Sequence, residues 1–174
     1  MKCPYCGFDN IAGSDTCDNC QEDLSSRDGI SASKGKIEKV LMSDPISKIP
    51  PHEATCIGAD ASVLDAVKKM NQCQSGCVVV TNGGDEIRGI LTERDILCRV
   101  AGKIADLSKT KIREVMTANV ETLDEDDTLA FALHKMSVHR FRNIAIRRAG
   151  KPPAVVSILD LLKYLSKLFS EKTA

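Results

Sequence analysis

The chain is 174 residues long and carries 24 basic and 24 acidic side chains, so its formal net charge at pH 7 is zero. Hydrophobic residues make up 43% of the sequence and aromatic residues 3%, which is typical of globular proteins and excludes disorder, collagen and a coiled-coil rod. Zero net charge argues against a protein that coats nucleic acid or an anionic membrane by bulk attraction. Because a typical domain has about 100–200 residues, the length favours one principal domain with a small appendage.

The hydropathy of the chain bears on its location. No stretch approaches the ~18 consecutive apolar residues of a transmembrane helix, and no apolar signal-peptide segment follows Lys2. We therefore predict a cytoplasmic protein that makes no membrane contact. In that reducing compartment the eight cysteines are expected to be metal ligands or buried thiols rather than disulfides.

Charge and composition divide the chain into a head and a body. Residues 1–28 hold two basic and six acidic side chains, a formal charge of −4, so the remainder carries +4. Residues 25–36 are small, polar and without periodicity, which is typical of a linker. The predicted organisation is a head at 1–24, the linker, and a body whose two halves cover 37–106 and 107–174.

Four cysteines form a metal-binding pattern in the head. They follow the spacing C-x2-C-x10-C-x2-C, at Cys3, Cys6, Cys17 and Cys20. Two residues between thiolates allow one tight turn to bring both sulfurs to one tetrahedral ion, and a segment this short needs a metal to fold. Four thiolates close the coordination shell, so we predict a structural zinc site rather than a catalytic one.

The head resembles the short zinc ribbons found at the ends of microbial proteins, with Cys3-Pro4-Tyr5-Cys6-Gly7 as its first knuckle. The second knuckle departs from the pattern, because Gln21 stands where a glycine usually follows the last cysteine. A rubredoxin-like iron site and a redox dithiol are the alternatives, since four cysteines suit either metal. The charge of the head argues against contact with phosphates.

The body contains an internal repeat. Four apolar residues on one helical face recur 66 positions later: Val63, Ala66, Val67 and Met70, then Leu129, Ala132, Leu133 and Met136. Asp60 and Asp127 precede these helices and are predicted to cap them or to lie in their first turns. Two predicted strands and a closing helix follow each of them, at 77–81, 87–91 and 92–95 in one copy and at 143–147, 154–156 and 157–160 in the other. With a short strand near 54–57 or 120–122, the unit β-α-β-β-α occurs twice.

The body resembles a pair of CBS domains, the tandem regulatory unit called a Bateman module. The match rests on G-I-L-T-E-R-D-I at 89–96 and V-S-I-L-D-L-L at 156–162, with M-T at 116–117 opening the second copy and M-S at 42–43 as its counterpart. The resemblance implies an α+β fold in which two repeats pack as a pseudo-twofold pair. It also implies that adenosine-containing ligands bind in the clefts between the repeats and that modules commonly pair as homodimers.

A hydroxyl residue and an aspartate three positions later open each closing helix, as Thr92 with Asp95 and Ser157 with Asp160. The same spacing is a capping box, in which the two side chains only satisfy the backbone of a helix start. The resemblance implies a further use, in which the aspartate accepts hydrogen bonds from the ribose hydroxyls. The hydroxyl residue and the helix N-terminus then face the phosphates. The two uses are compatible.

The two predicted clefts differ in their cations. His139-Arg140 resembles the phosphate-facing His-Arg pair of the AMP-activated kinase γ subunit, whereas the first copy has Cys73-Gln74-Ser75-Gly76 at that place. One predicted ligand site comprises Ser157, Asp160, His139, Arg140, Ser75 and Gly76. The other comprises Thr92, Asp95 and Arg142. The first is the better candidate for phosphate binding.

Simpler interpretations are open for several polar residues. The basic residues near the second-copy strand also suit a solvated edge: Lys135, Arg140, Arg142, Arg147, Arg148 and Lys151. Reading of nucleic-acid bases is disfavoured, since aromatic stacking partners are almost absent. His134 is predicted to lie on the surface. The remaining cysteines are predicted to be buried small hydrophobes: Cys56, Cys73, Cys77 and Cys98.

The leading hypothesis is a regulatory module that senses AMP, ADP, ATP or S-adenosylmethionine and carries a structural zinc ribbon for an unidentified protein partner. The alternative is an adaptor that binds no ligand, in which the pair is a dimerisation platform and the ribbon contacts protein or, less plausibly, nucleic acid. A third hypothesis is metal or redox sensing through the head. No nucleophile–base pair, P-loop or G-x-G-x-x-G motif occurs, so the sequence does not predict an enzyme.

Overall fold

The computed structural model describes residues 2–3, 5–11, 14–24, 36–50, 52–83 and 86–170. Its helices are α1 (Lys36–Ser43), α2 (Val63–Gln72), α3 (Glu93–Asp95), α4 (Ile112–Val115), α5 (Leu129–His139) and α6 (Ile158–Ser170). Its strands are β1 (His52–Glu53), β2 (Cys56–Gly58), β3 (Cys77–Thr81), β4 (Ile87–Thr92), β5 (Thr117–Ala118), β6 (Thr122–Asp124), β7 (Asn143–Arg147) and β8 (Ala154–Ser157). The predicted α+β class is confirmed. None of the described helices is long and apolar enough to cross a membrane. Nearly all of the predicted linker lies outside the described residues.

The repeated unit that the sequence predicts is present twice. Strands β3 and β7 coincide with their predicted ranges, and β4 and β8 each extend one residue further, to Thr92 and Ser157. The closing helices differ between the copies. In the second copy α6 runs for 13 residues, whereas in the first copy α3 continues as a π-helical turn over Ile96–Val100.

The two long helices of the repeats begin at hydroxyl residues. Ser62 caps α2 and Thr128 caps α5, each accepting a hydrogen bond from the backbone N–H three residues further on, at 3.1 and 3.2 Å. The prediction of acidic caps is wrong, because a hydroxyl directly before the first turn already reaches this amide. Asp60 forms instead an exposed ion pair with Arg113 at 2.6 Å. Asp127 accepts a backbone hydrogen bond within the preceding turn at 2.8 Å.

The strands form two four-stranded sheets, in the orders β2-β3-β4-β5 and β1-β8-β7-β6. In the first sheet β2 runs parallel to β3, while β3, β4 and β5 pair antiparallel. Gly89 of β4 lies opposite Ala118 of β5. A Cβ at Gly89 would stand 2.9 Å from the carbonyl oxygen of Thr117 and 2.6 Å from the sulfur of Met116. The close approach of β5 therefore requires glycine at this position.

The chain forms two compact units that alternate along the sequence. Unit 1 comprises Met1–Pro50, Leu123–Ile144 and Val156–Ala174, and unit 2 comprises Pro51–Thr122 and Ala145–Val155. In unit 2, α2 packs its apolar face on β3 and β4, with these buried side chains: Val63, Ala66, Met70, Val78, Val80, Leu91, Val100, Ile112 and Val115. The periodicity that predicted α2 is therefore the periodicity of a core-facing helix.

The segment that precedes each β-α-β-β-α unit packs on the long helix of the other repeat. Within unit 1, the N–H of Leu129 at the start of α5 donates to the carbonyl of Asp44, just after α1, at 3.0 Å. Within unit 2, the N–H of Ile112 in α4 donates to the carbonyl of Ala61, just before α2, at 3.0 Å. The compact units thus do not follow the consecutive division at 106 and 107. That division of the repeats and their pseudo-twofold packing stay predictions.

The four cysteines of the body differ in burial. Cys77 is buried at the start of β3, and burial raises the pKa of its thiol to about 11. Cys56 is half-buried, whereas Cys73 and Cys98 are exposed. The prediction that all four are buried is wrong for these last two, because Cys73 follows the end of α2 and Cys98 lies in the mostly exposed π-helical turn.

Candidate functional site

The four cysteines of the head bring their sulfurs together. All four Sγ atoms lie within 4.8 Å of one another, and the pairs Cys3–Cys20 and Cys6–Cys17 are each 3.6 Å apart. A tetrahedral ion with Zn–S bonds of about 2.3 Å needs sulfurs about 3.8 Å apart. The arrangement therefore fits one thiolate-bound metal ion, and zinc is the ion for which the sequence argues.

The backbone holds the cysteine pairs in two matching turns. The amide of Gly7 donates to the carbonyl of Cys3 at 3.0 Å, and the amide of Gln21 donates to the carbonyl of Cys17 at 2.8 Å. Both turn-closing residues have left-handed backbone angles, with φ of 74° at Gly7 and 59° at Gln21. Gln21 thus forms the same turn as the glycine that it replaces in the ribbon pattern, at the cost of some strain.

Hydrogen bonds and burial set the pKa values of the thiols. At Cys17 burial favours the thiol, but backbone N–H groups at Cys20 and Asn19 and the side chain of Asn10 outweigh it and lower the pKa to about 6. Burial raises the pKa of Cys3 and of Cys20. Asn10, which the sequence did not single out, donates to Cys17 Sγ at 3.5 Å and accepts the amide of Asp18 at 2.9 Å. It orients a predicted ligand from outside the coordination shell.

The head contacts α5 through His134 and Thr128. One ring nitrogen of His134 lies 3.2 Å from the carbonyl oxygen of Cys20 and the other 2.7 Å from a carboxylate oxygen of Glu22. The hydroxyl of Thr128 donates to the carbonyl of Tyr5 at 3.1 Å. The side chain of His134 is only 13% exposed. The prediction of a surface histidine is therefore wrong, because the head covers this part of α5.

Both hydroxyl-x-x-Asp motifs form complete capping boxes. The hydroxyl and the amide of Thr92 donate to Asp95 Oδ2 at 2.7 and 3.0 Å, and the amide of Asp95 donates back to the Thr92 hydroxyl at 3.3 Å. Ser157 and Asp160 repeat this pattern at 2.6, 2.9 and 3.2 Å. The capping interpretation is confirmed, while the binding of ribose stays a prediction.

A third capping box shows how general this spacing is. Ser62 and Asp65 at the start of α2 make the same contacts, with the hydroxyl donating to the carboxylate at 2.7 Å. These hydrogen bonds lower the pKa of Asp65. The resemblance gives this box no ligand role, so it supplies a matched control for the two candidate motifs.

Asp95 has partners beyond its own box. Its Oδ1 lies 3.4 Å from Nε of Arg99 and 3.5 Å from the hydroxyl of Thr117. The guanidinium of Arg99 also donates to the carbonyls of Val115 and Met116, at 3.0 and 3.1 Å. Arg99 thus connects the motif of the first repeat to the chain segment that leads into the second.

Within each unit, the segment between the long helix and the strand that follows it also approaches the motif. The amide of Glu93, next to Thr92, donates to the carbonyl of Gly76 at 3.0 Å. In the same way the amide of Ile158 donates to the carbonyl of Arg142 at 2.9 Å. The structure therefore brings Gly76 to the first motif and Arg142 to the second, by their backbones.

The remaining predicted ligand residues are Ser75, His139 and Arg140. Ser75 donates its hydroxyl to the carbonyl of Cys77 at 2.8 Å, next to Gly76. His139 and Arg140 are exposed at the C-terminal end of α5. Arg140 ends the helix in a left-handed conformation with φ of 55°, and the His139 ring stacks on Phe141 with centroids 5.6 Å apart. The combination of residues from different repeats in one cleft stays a prediction.

The doubled β-α-β-β-α unit and its paired motifs agree with a comparison against models of known protein families. The family model for the CBS domain matches residues 38–102 and again residues 112–167. The chain belongs to the CBS-domain family. Proteins built from CBS domains are generally regulatory modules that sense ligands rather than enzymes, so this chain carries a regulatory module.

Relatives of known sequence extend this assignment. The CBS domain-containing protein CBSCBSPB1 of Arabidopsis thaliana is 37% identical over 101 residues, which cover 58% of this chain and 18% of that protein. An uncharacterized 17.7 kDa protein of Acidianus ambivalens is 29% identical over 125 residues, covering 71% of this chain and 74% of that protein. The chain thus spans less than a fifth of the length of the plant relative.

Solved structures share the fold of the CBS pair. A CBS-domain protein from Agrobacterium tumefaciens is 27% identical with a TM-score of 0.62, covering 69% of this chain and 97% of that one. A conserved protein from Pyrococcus horikoshii is 27% identical with a TM-score of 0.63, covering 70% and 92%. A hexameric CBS-CP12 protein from bloom-forming cyanobacteria is 22% identical with a TM-score of 0.61, which shows the fold alone.

Proposed function

We propose that this CBS pair senses an adenosine-containing ligand, AMP, ADP, ATP or S-adenosylmethionine, and that its head holds a structural zinc ion. The observation that carries the proposal is the duplicated hydroxyl-x-x-Asp motif at the starts of α3 and α6 in a member of this family. Ligand binding changes the output of such a module only if two arrangements of the protein differ in affinity for the ligand.

The chemistry of the motifs suits a nucleoside. A carboxylate can accept hydrogen bonds from two neighbouring hydroxyl groups, and a helix start favours phosphates. Asp95 and Asp160 are held in fixed orientations by their capping boxes, so a ribose would meet preorganised acceptors. The exposed side chains of His139 and Arg140 lie in unit 1 with Ser157 and Asp160, and the backbone of Arg142 also contacts this motif.

The two motifs are not equivalent in this proposal. Asp95 already faces the guanidinium of Arg99, so a ribose at the first motif competes with an internal ion pair. Asp160 is followed at the corresponding helix position by Tyr164, whose hydroxyl donates to Asp44 at 2.8 Å. We expect the tighter site to involve Ser157 and Asp160, because Arg140 of the same unit can add a contact to a phosphate.

Calorimetric titration of the full chain with AMP, ADP, ATP and S-adenosylmethionine tests the proposal. We expect saturable heat with at least one of the four ligands. If all four give neither heat nor a shift in melting temperature, the sensing function is wrong. In that case the adaptor hypothesis takes its place.

Two matched variants separate ligand binding from helix capping. Asp160→Asn weakens a candidate ribose contact and a capping box, whereas Asp65→Asn weakens only a capping box. We expect both to lose up to about 1 kcal/mol of stability, and only Asp160→Asn to weaken ligand binding, by roughly 10- to 100-fold. Equal affinities of the two variants would assign the motif of α6 to capping alone.

The phosphate contact has its own test. Arg140→Gln should weaken AMP more than adenosine, since only the nucleotide offers an anion to the guanidinium. Arg148→Gln is the control, because this exposed-edge guanidinium donates to the carbonyl of Pro152 instead. Equal losses for AMP and adenosine in Arg140→Gln would remove this residue from the phosphate site.

The adaptor function is the second candidate, and the exposed apolar side chains of the head favour it. Phe8 is 45% exposed and Ile11 is 78% exposed. An adaptor that docks a protein through the head loses that partner in Cys17→Ser and keeps it in Asp160→Ala. A ligand sensor shows ligand heat in the first variant and loses it in the second.

A homodimer is part of both candidate functions. Leu159 and Leu162 on α6 and Val138 on α5 are large apolar side chains exposed in unit 1, and Leu97 in the first repeat is exposed at the position that corresponds to Leu162. Burial of such side chains is the usual driving force of association. Sedimentation velocity should report a dimer, and Leu162→Glu should shift it towards monomer. A monomeric wild-type chain at all concentrations contradicts the dimer.

A further inference from the structure

The head is docked on one helix of one repeat. Residues of the head and helix α5 belong to unit 1. Thr128, which caps α5, and His134 within it make side-chain hydrogen bonds to the head, and the ring of Tyr5 lies 5.9 Å from that of His134. The docking surface is therefore a defined set of polar contacts with a small aromatic contribution.

The contacts reach both knuckles of the metal site. Thr128 binds the carbonyl of Tyr5, which lies between the first two cysteines. His134 binds the carbonyl of Cys20, itself a predicted ligand, and the carboxylate of Glu22 just beyond it. Both sets of contacts are satisfied together only when the two knuckles keep their relative position. In a segment too small for its own core, the shared ion is what fixes that position.

The corresponding helix of the first repeat, α2, carries different side chains at the equivalent positions. At the positions equivalent to Phe131 and His134, α2 carries Asp65, which completes a capping box, and the exposed Lys68. In α5 the capping acid is replaced by buried Phe131, and the N-cap Thr128 gives its hydroxyl proton to the head. Helix α5 thus depends on the head for contacts that α2 makes within itself.

We propose that the head is a metal-dependent clamp on the second CBS repeat, with His134 as its positioning residue. With the ion bound, the two knuckles hold the start and the middle of α5. Loss of the ion separates the knuckles, breaks the contacts at His134 and Thr128, and loosens the helix whose C-terminal end carries His139 and Arg140. The metal state of the head thereby becomes an input to the second repeat. The inference rests on the proposed metal binding and not on any adenosyl ligand.

Hydrogen exchange measured by mass spectrometry tests the clamp in the full chain without nucleotide. Zinc-loaded protein, with its metal content measured, is compared with the same protein after chelation. We expect amide exchange in α5 to rise roughly tenfold or more on metal removal, because each lost contact lowers the free energy of local opening. Exchange in α2 of the same molecules is the internal reference and should stay within about twofold.

Substitutions at His134 separate the clamp from a general loss of stability. His134→Ala keeps all four cysteines, so it should retain zinc, yet its α5 amides should exchange fast whether or not the chelator is present. His134→Gln should restore part of the protection, since its amide group can donate to the carbonyl of Cys20. Ser137→Ala on an exposed position of α5 is the control and should keep the wild-type response to metal.

Each outcome decides the proposal. If chelation removes the metal but does not change amide exchange in α5, the clamp is wrong, while the metal site still stands. Equal acceleration in α2 and α5 also overturns it, since the metal then stabilises the whole chain. A chain that binds no zinc overturns both the clamp and the metal site, and in that case ligand titrations still test nucleotide sensing separately.

Discussion

The long helices of the two repeats arise from one pattern and meet different surroundings. Helix α2 completes its own capping box with Asp65 and presents Lys68 to solvent, whereas α5 buries Phe131 and uses His134 to bind the head. The apolar face is the same in both copies, so both helices pack on a core. The difference lies on the opposite side of each helix, where His134 of the second repeat binds the head and Lys68 of the first is exposed.

The contrast continues at the closing helices. In the first repeat Arg99 ties Asp95 to the carbonyls of Val115 and Met116. At the equivalent position of the second repeat, Tyr164 donates its hydroxyl to Asp44. Both side chains contact the segment that precedes a β-α-β-β-α unit, one through a guanidinium and the other through a phenol. Equivalent positions of the two closing helices thus make similar contacts with different side chains.

Removing a predicted metal ligand from the head, which binds the second repeat, should have the strongest effect of the substitutions considered. Cys17→Ser removes one thiolate and should abolish tight zinc binding, since metal binding by such sites supplies about 10–16 kcal/mol. Asn10→Ala, which removes only a hydrogen bond to that sulfur, should cost about 10- to 100-fold in affinity. Competition with a chromophoric chelator measures both. Cys73→Ser, an exposed cysteine of the body, is the control, and unchanged affinity in Cys17→Ser would contradict the four-thiolate site.

The next effect concerns the close strand pair of the first repeat. Gly89→Ala would place a Cβ 2.9 Å from the carbonyl oxygen of Thr117, whereas the second repeat has a buried alanine, Ala154, at the equivalent position. We expect a loss of about 1–3 kcal/mol in urea unfolding, because the backbone must shift. Gly58→Ala is the control, since no atom lies within 4 Å of its added Cβ. Equal stability of the two variants would show that β5 moves to accommodate the added Cβ at little cost in free energy.

A smaller, pH-dependent effect is expected from the hydrogen bond that Tyr164 donates to Asp44. Burial alone would raise the pKa of Asp44, but hydrogen bonds from Lys48 and Tyr164 outweigh it and hold the pKa below its ordinary value. Because the folded-state pKa is the lower one, this carboxylate stabilises the protein above its unfolded pKa. That contribution is lost as the pH falls through the folded-state pKa. Tyr164→Phe should therefore lower stability near neutral pH, by about 1 kcal/mol.

Urea unfolding between about pH 3 and pH 7 measures this contribution. Asp44→Asn should show a shallower loss of stability on acidification than the wild type, because it lacks the titrating carboxylate. Only the difference between variants is informative, since cysteine ligands release metal over part of the same range. An identical acid dependence in wild type and Asp44→Asn would contradict the assignment.

The smallest effect on stability is expected from substitution of Arg99. Arg99→Gln removes an ion pair whose arginine side chain is 48% exposed, so we expect a stability loss below about 1 kcal/mol. If the competition with a ribose at Asp95 is correct, the same variant binds the adenosyl ligand no more weakly than the wild type. If Arg99→Gln lost more stability than Tyr164→Phe, the expected order of these two effects would be wrong.

The sequence predicted those features that repeat with a fixed period. The apolar spacing of α2 and α5, the ranges of β3 and β7, the capping boxes at Thr92 and Ser157 and the four-cysteine cluster all follow from short sequence patterns. It did not predict the exposure of Cys73 and Cys98 or the covered side of His134. Burial of such residues depends on what packs against them from far along the chain, and no local pattern records it.

The amino-acid sequence alone was enough to predict the doubled β-α-β-β-α unit, the resemblance to CBS domains and the cluster of four cysteines, because periodicity and spacing act over a few residues. The folded structure was needed to show that the segment before each β-α-β-β-α unit packs on the long helix of the other repeat, and that the head covers part of α5. Those choices depend on contacts such as Tyr5 with Thr128 and Cys20 with His134, which join residues more than 100 positions apart. Such pairings follow from packing and hydrogen bonding in the folded chain.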